Sequence, residues 1–114
     1  MYSSTFIFEK KQFDDDFYRL DDAISQLART IPGYLGEETW ESSSTALLSN
    51  VYYWDTLEAL HTLVNHPKHR EAKAQYQNWL SVYQVIISEV LKTYGDSKLA
   101  QLPTAKLFLP APKP

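Results

Sequence analysis

Between Tyr52 and Gly95 the chain reads YYWDTLEALHTLVNHPKHREAKAQYQNWLSVYQVIISEVLKTYG: the end of a strand, a capped helix, a break carrying His66 and His69, a second helical piece, and a long strand. A weaker strand and helix between Thr5 and Trp40 repeat that order, which predicts a twofold β-α-β layout. Helices joined to strands in this way cover one face of a sheet. The other face, if apolar, requires a partner.

The 114 residues are enough for one domain, which buries roughly two thirds of the surface its unfolded chain exposes. Net charge is −3 and the basic residues are scattered, so no stripe of Lys and Arg exists to neutralise a run of phosphates, and nucleic acid is not an expected partner. No apolar run approaches the roughly 20 residues of a membrane helix, so no membrane is expected. The absence of cysteine removes disulfide and thiolate chemistry. With no signal-like apolar core at the N-terminus, a cytoplasmic setting is expected. An aromatic share of 14% points to a cavity, a large interface or a Tyr-rich core.

Phe6, Ile7 and Phe8 predict a first strand ending near Gln12. A helix follows, with Asp14, Asp15 and Asp16 at its positive end and Phe17, Leu20, Ile24, Leu27, Ala28 and Ile31 on one stripe. Consecutive acids on a helix point in different directions and do not close one coordination shell, so no metal is expected there. Pro32 and Gly33 end the helix. A second strand is expected over Tyr34–Trp40, a turn at Ser42–Ser44, and a nearly apolar third strand over Ala46–Trp54.

Asp55 with Glu58 three residues on has the spacing of a capping box, which starts the next helix. Pro67 disfavours helical geometry at His66 and restarts the helix at its own fixed φ, so two pieces meet at an angle. On the second piece His69, Ala72, Tyr76, Trp79 and Tyr83 share a face. The last strand, Val82–Tyr94, is apolar on both sides, so both should be covered at least in part. Residues 97–114 carry four of the six prolines and the patch Leu107-Phe108-Leu109. That patch reads either as a free end or as an arm laid on a neighbouring subunit, and the aggregation cost of three exposed apolar residues favours the arm.

The stretches YYW-x-x-LEAL, NHPKHREA and NW-x-x-VY, followed by a long closing strand, resemble the antibiotic biosynthesis monooxygenase family. The resemblance is close over the second half of the chain and extends to the first half in element order and in the PGYLG turn. It implies an α+β, ferredoxin-like β-α-β-β-α-β subunit over residues 1–96, whose sheet pairs with that of a second subunit to form a dimeric α+β barrel. It further implies cofactor-independent oxidation of a small aromatic or quinol-type molecule, with no metal. A branch of similar proteins degrades haem with an Asn on the first strand and a Trp and a His on the helix after the third. Aligned on Trp54, those helix positions hold Leu63 and Lys73 and the first strand offers Glu9, so the haem chemistry is disfavoured.

His61, His66 and His69 lie close in sequence, but only His69 falls on the inward stripe, which does not provide the three converging ligands a zinc site needs. His69 beside Tyr76 and Trp79 is the candidate proton acceptor for a phenol, or else a hydrogen-bonded core histidine. Trp79 and Tyr83 resemble the family's aromatic pair before the final strand and are expected to wall a pocket, or simply to pack the helix on the sheet. Asn50, Tyr52 and Trp54 alternate on one face of the third strand, expected here to be the barrel lumen, with Asn50 as a donor to a developing oxyanion. A register error of one residue would turn all three toward the helices. The alternative to an enzyme is a non-catalytic dimeric binding or stress-related protein on the same scaffold.

Overall fold

A computed structural model of the chain describes residues 1–10, 13–96, 98, 99, 101–104 and 108–110. The elements run β1 (Tyr2–Lys10), α1 (Asp15–Thr30), β2 (Tyr34–Glu41), β3 (Leu47–Trp54), α2 (Leu57–Val64), α3 (Pro67–Ala74), α4 (Tyr76–Trp79) and β4 (Leu80–Glu89). β1 to β4 form one antiparallel sheet in the order β2-β3-β1-β4, the ferredoxin-like β-α-β-β-α-β arrangement. Two short strands, β5 (Thr93–Gly95) and β6 (Phe108–Pro110), pair in parallel apart from it. The expected end of the first strand near Gln12 lies outside the described residues, as does Leu107.

α1 begins where Asp14 turns its carboxylate onto the Phe17 amide at 2.9 Å, and its apolar stripe buries Leu20 and Ala28 completely. It stops at Ile31, and Gly33 follows at φ +102°, where a Cβ would run into the Asp55 carboxylate. The β2–β3 turn is held by the Ser42 hydroxyl, which accepts from the amides of Ser44 and Thr45.

α2 departs from the sequence expectation at its start. Its cap is Thr56, not Asp55: the Thr56 hydroxyl accepts from the Ala59 amide at 3.1 Å, while the Asp55 amide donates to the Gly33 carbonyl. Both residues suit a cap chemically, and the tie of Asp55 to the turn after α1 moves the helix start one residue on. The break at Asn65-His66-Pro67 is as expected. His66 caps α3, its Nδ1 accepting from the Lys68 amide, and Pro67 occupies the first turn.

Strand register decides which side chains share a face. Phe6 pairs with Asn50 and Val85, and Ser4 with Tyr52 and Ile87. These residues, with Trp54, turn toward the helices, where Trp54 packs against Ala28, Ile31, Ala59, Leu60 and Leu63. A second cluster joins Phe8, Leu20, Ala72, Trp79 and Leu80. The opposite face carries Ile7, Val51, Tyr53, Val82 and Ile86.

That opposite face is not uniformly bare. Ser3, Val51 and Tyr53 are buried, and Pro103 stands 2.6 Å from where a Cβ on Gly36, the partner of Tyr53 on β2, would sit. The segment after β5 therefore folds back against β2. β4 is bare on both faces: Val82 and Ile86 are 56% and 39% exposed on one side, and Tyr83, Val85 and Ile87 are 50%, 54% and 52% exposed on the other. The last strand is also shorter than expected, ending at Glu89, with Thr93–Gly95 as a separate strand.

Candidate functional site

A cavity of about 330 Å³ opens between the helices and the helix-facing side of the sheet. Its size is at the lower end of the range for small-molecule sites. The floor is Phe6 and Phe8 of β1, Asn50 and Tyr52 of β3, and Tyr83, Val85 and Ile87 of β4. α1 contributes Leu20, Asp21 and Ile24, and the broken second helix contributes Leu63, His69, Lys73, Tyr76 and Trp79.

Six of the seven predicted site residues converge here: His69, Tyr76, Trp79, Tyr83, Asn50 and Tyr52. Trp54 does not. It is fully buried in the core and its indole N–H donates to the Ser4 hydroxyl at 3.3 Å, so it supports the floor from behind. The expectation that Asn50, Tyr52 and Trp54 face a barrel lumen is corrected by the β1–β3 register, which turns all three toward the helices. β3 is apolar on both faces near its end, so alternation alone gives no phase.

His69 owes its position to Pro67. The restarted helix places one turn of α3 over the sheet with Ala72 buried and His69 half-buried above the cavity. Its Nδ1 is buried and has no hydrogen-bond partner among the described residues. Burial, and secondarily the charge of Lys73, hold its pKa below the ordinary 6.5, so the ring is neutral at pH 7. A neutral imidazole on the wall of a cavity is competent to accept a proton.

Tyr76 stacks on Phe6 with centroids 5.4 Å apart and meets Tyr83 edge-on at 5.3 Å, giving the cavity an aromatic wall. Burial pushes the Tyr76 phenol up to about 12 and raises that of Tyr52 further, so both are hydrogen-bond donors at neutral pH. Trp79 closes the wall against Phe17, and its buried Nε1 meets no acceptor at bonding geometry among the described residues. The Oδ1 of Asn50 accepts from Thr39 at 2.9 Å, which leaves the amide N–H₂ free to donate.

Leu63 and Lys73, which stand where the haem-degrading proteins carry Trp and His, both line the cavity. Neither reproduces those functional groups. His61 is exposed on α2 and His66 is occupied as a cap, so neither joins His69. The residue missed from sequence is Asp21. Its only signal is an acid one turn after Phe17, beside Ile24 on an apolar stripe, where acids ordinarily are absent.

No family model matches the sequence, and none of the curated proteins matches it. Solved structures do. The fold is shared with the Mycobacterium tuberculosis protein Rv0793 at 19% identity and TM-score 0.67, covering 80% of this chain and 95% of that one. It is shared with SnoaB, a cofactor-independent oxygenase from Streptomyces nogalater, at 10% identity and TM-score 0.66 over 81% and 94%. A further match, named an antibiotic biosynthesis monooxygenase, has 12% identity and TM-score 0.64 over 80% and 99%. At such identities the likeness establishes the fold, and chemistry has to be argued from the site.

Proposed function

We propose that this protein is an antibiotic-biosynthesis-monooxygenase-like enzyme that oxidises a small aromatic or quinol-type molecule in the sheet–helix cavity without a cofactor. The observation that carries this reading is His69: a neutral imidazole with an unsatisfied buried Nδ1, facing an apolar cavity walled by Phe6, Tyr76, Trp79 and Tyr83. In the proposed reaction His69 takes a phenolic proton, and the electron-rich anion passes electrons directly to O₂ against the apolar wall of the pocket. Asn50 donates to the oxyanion through its free amide, and the Tyr76 ring stacks on the substrate. The name of SnoaB supports a cofactor-free route on this scaffold.

Oxygen uptake with a panel of hydroquinones tests it. Uptake should be lost in His69→Ala and retained in His66→Ala, whose residue only caps α3; equal activity of the two variants would contradict the assignment. Tight binding of the same aromatics with no oxygen uptake by the wild type would leave the non-catalytic binding reading in its place.

The working unit in this proposal is a homodimer. Val82 and Ile86 of β4 lie beside Ile7 on a face that no helix covers, and a second copy would remove them from water. The segment from residue 97 onward is then an arm, turned back against β2 at Pro103 and paired with β5 at Phe108–Pro110, that would lie against that second copy.

A further inference from the structure

α1 is amphipathic with one exception. Phe17, Leu20, Ile24, Ala28 and Ile31 make its inward stripe, and Asp21 lines the cavity with Phe17, Leu20 and Ile24. The other charged groups of α1 near it, and Glu37 of β2, have partners. Glu37 accepts from the Ser25 hydroxyl at 2.8 Å, from Arg29 at 3.1 Å and from the Tyr34 phenol at 3.1 Å. Arg19 reaches Asp16 and Glu71, and Asp22 accepts from Gln26. Asp21 has no hydrogen bond or ion pair among the described residues, and it counts as solvent-accessible because the cavity it faces is open.

This placement is unfavourable for folding. Burial comes first and the like charge of Glu37 second in raising the Asp21 carboxyl above its ordinary 3.8, and both act against an anion held there. The charge of Asp21 also helps to raise the phenols of Tyr52 and Tyr76, which line the same cavity. A leucine would continue the stripe and relieve the repulsion. A destabilising polar group in a cavity, without a structural partner, is the pattern expected of a group kept for a ligand.

We infer that Asp21 is a ligand-anchoring residue, accepting a hydrogen bond from a hydroxyl on the aromatic ring bound in the cavity. The inference rests on the cavity being the ligand site and adds to it the residue that holds a ring hydroxyl. A neutral hydroxyl suits the site better than a cation. Lys73 lines the same cavity and its charge already disfavours a positive imidazole at His69, so a cationic ligand meets that charge too. Asn50 and the aromatic wall hold the remainder of a flat molecule.

The test is titration of the full-length protein with 2-naphthol and with 2-methoxynaphthalene, which keeps the rings and loses the donor. Wild type should bind the naphthol about tenfold tighter, the ratio expected of one hydrogen bond to a charged group. Asp21→Leu should abolish that preference while raising the melting temperature, and Asp22→Leu, altering the neighbouring acid outside the cavity, should do neither. A binding loss joined to a stability gain is not the signature of a structural residue. Equal binding of the two compounds by wild type would overturn the inference and leave the cavity reading intact. Tighter binding of 2-naphthylmethylamine than of 2-naphthol, or an unchanged preference in Asp21→Leu, would also overturn it. Failure of all three compounds to bind wild type would remove both.

Discussion

His69 links the folding of this chain to pH as well as to its chemistry. The folded-state pKa lies below 6.5 because burial penalises the imidazolium, so below pH 6.5 the unfolded chain takes up a proton that the folded chain refuses. The stabilising contribution of the neutral ring is therefore present above 6.5 and lost as pH falls toward the folded pKa. Melting temperature should decline as pH falls below 6.5 in the wild type, and His69→Gln should flatten that part of the profile. Proton acceptance by His69 should persist into mild acid for the same reason. The residue was legible in the sequence because its spacing to Ala72, Tyr76 and Trp79 survives the short break between α3 and α4. Asp21 was not legible: an acid on a helix reads as solvated unless the orientation of that helix is already known.

At the scale of elements, the break at His66 and Pro67 was fixed by local chemistry and came out as read, whereas the start of α2 did not. Three candidates for capping, Asp55, Thr56 and Glu58, lie within four residues, and the choice among them was made by the Asp55 amide, which is tied to Gly33 across the fold. Thr56→Ala should cost about 1 kcal/mol in urea denaturation, and Asp55→Ala clearly less. β3 shows the same limit more sharply. Tyr52 and Trp54 on one face and Val51 and Tyr53 on the other are all large and apolar, so the sequence contains the strand but not its phase. The phase matters for function, since it puts Asn50 and Tyr52 in the cavity and Trp54 behind it.

At the scale of the molecule, the one-sided helix layer follows from element order and was expected, and the ferredoxin-like subunit was what the resemblance implied. The return of the segment at Pro103 onto β2 was not, because a stretch rich in proline has no period to read. It leaves β4 as the main apolar surface, and a homodimer formed through its Val82 and Ile86 face should elute and scatter light as about twice the 13.2 kDa chain mass. Ile86→Glu should shift that species to monomer while leaving the helix-side cavity in place.

Whether ligands occupy the sheet–helix cavity or the opposite face is the point on which the functional account turns, and four of the five isoleucines divide between them. Ile24 and Ile87 line the cavity, whereas Ile7 and Ile86 lie on the other face, paired with Gln84 and Thr5 respectively. Methyl NMR spectra of isoleucine-labelled protein titrated with 2-naphthol should show Ile24 and Ile87 moving and Ile7 and Ile86 still. Shifts confined to Ile7 and Ile86 would contradict the account.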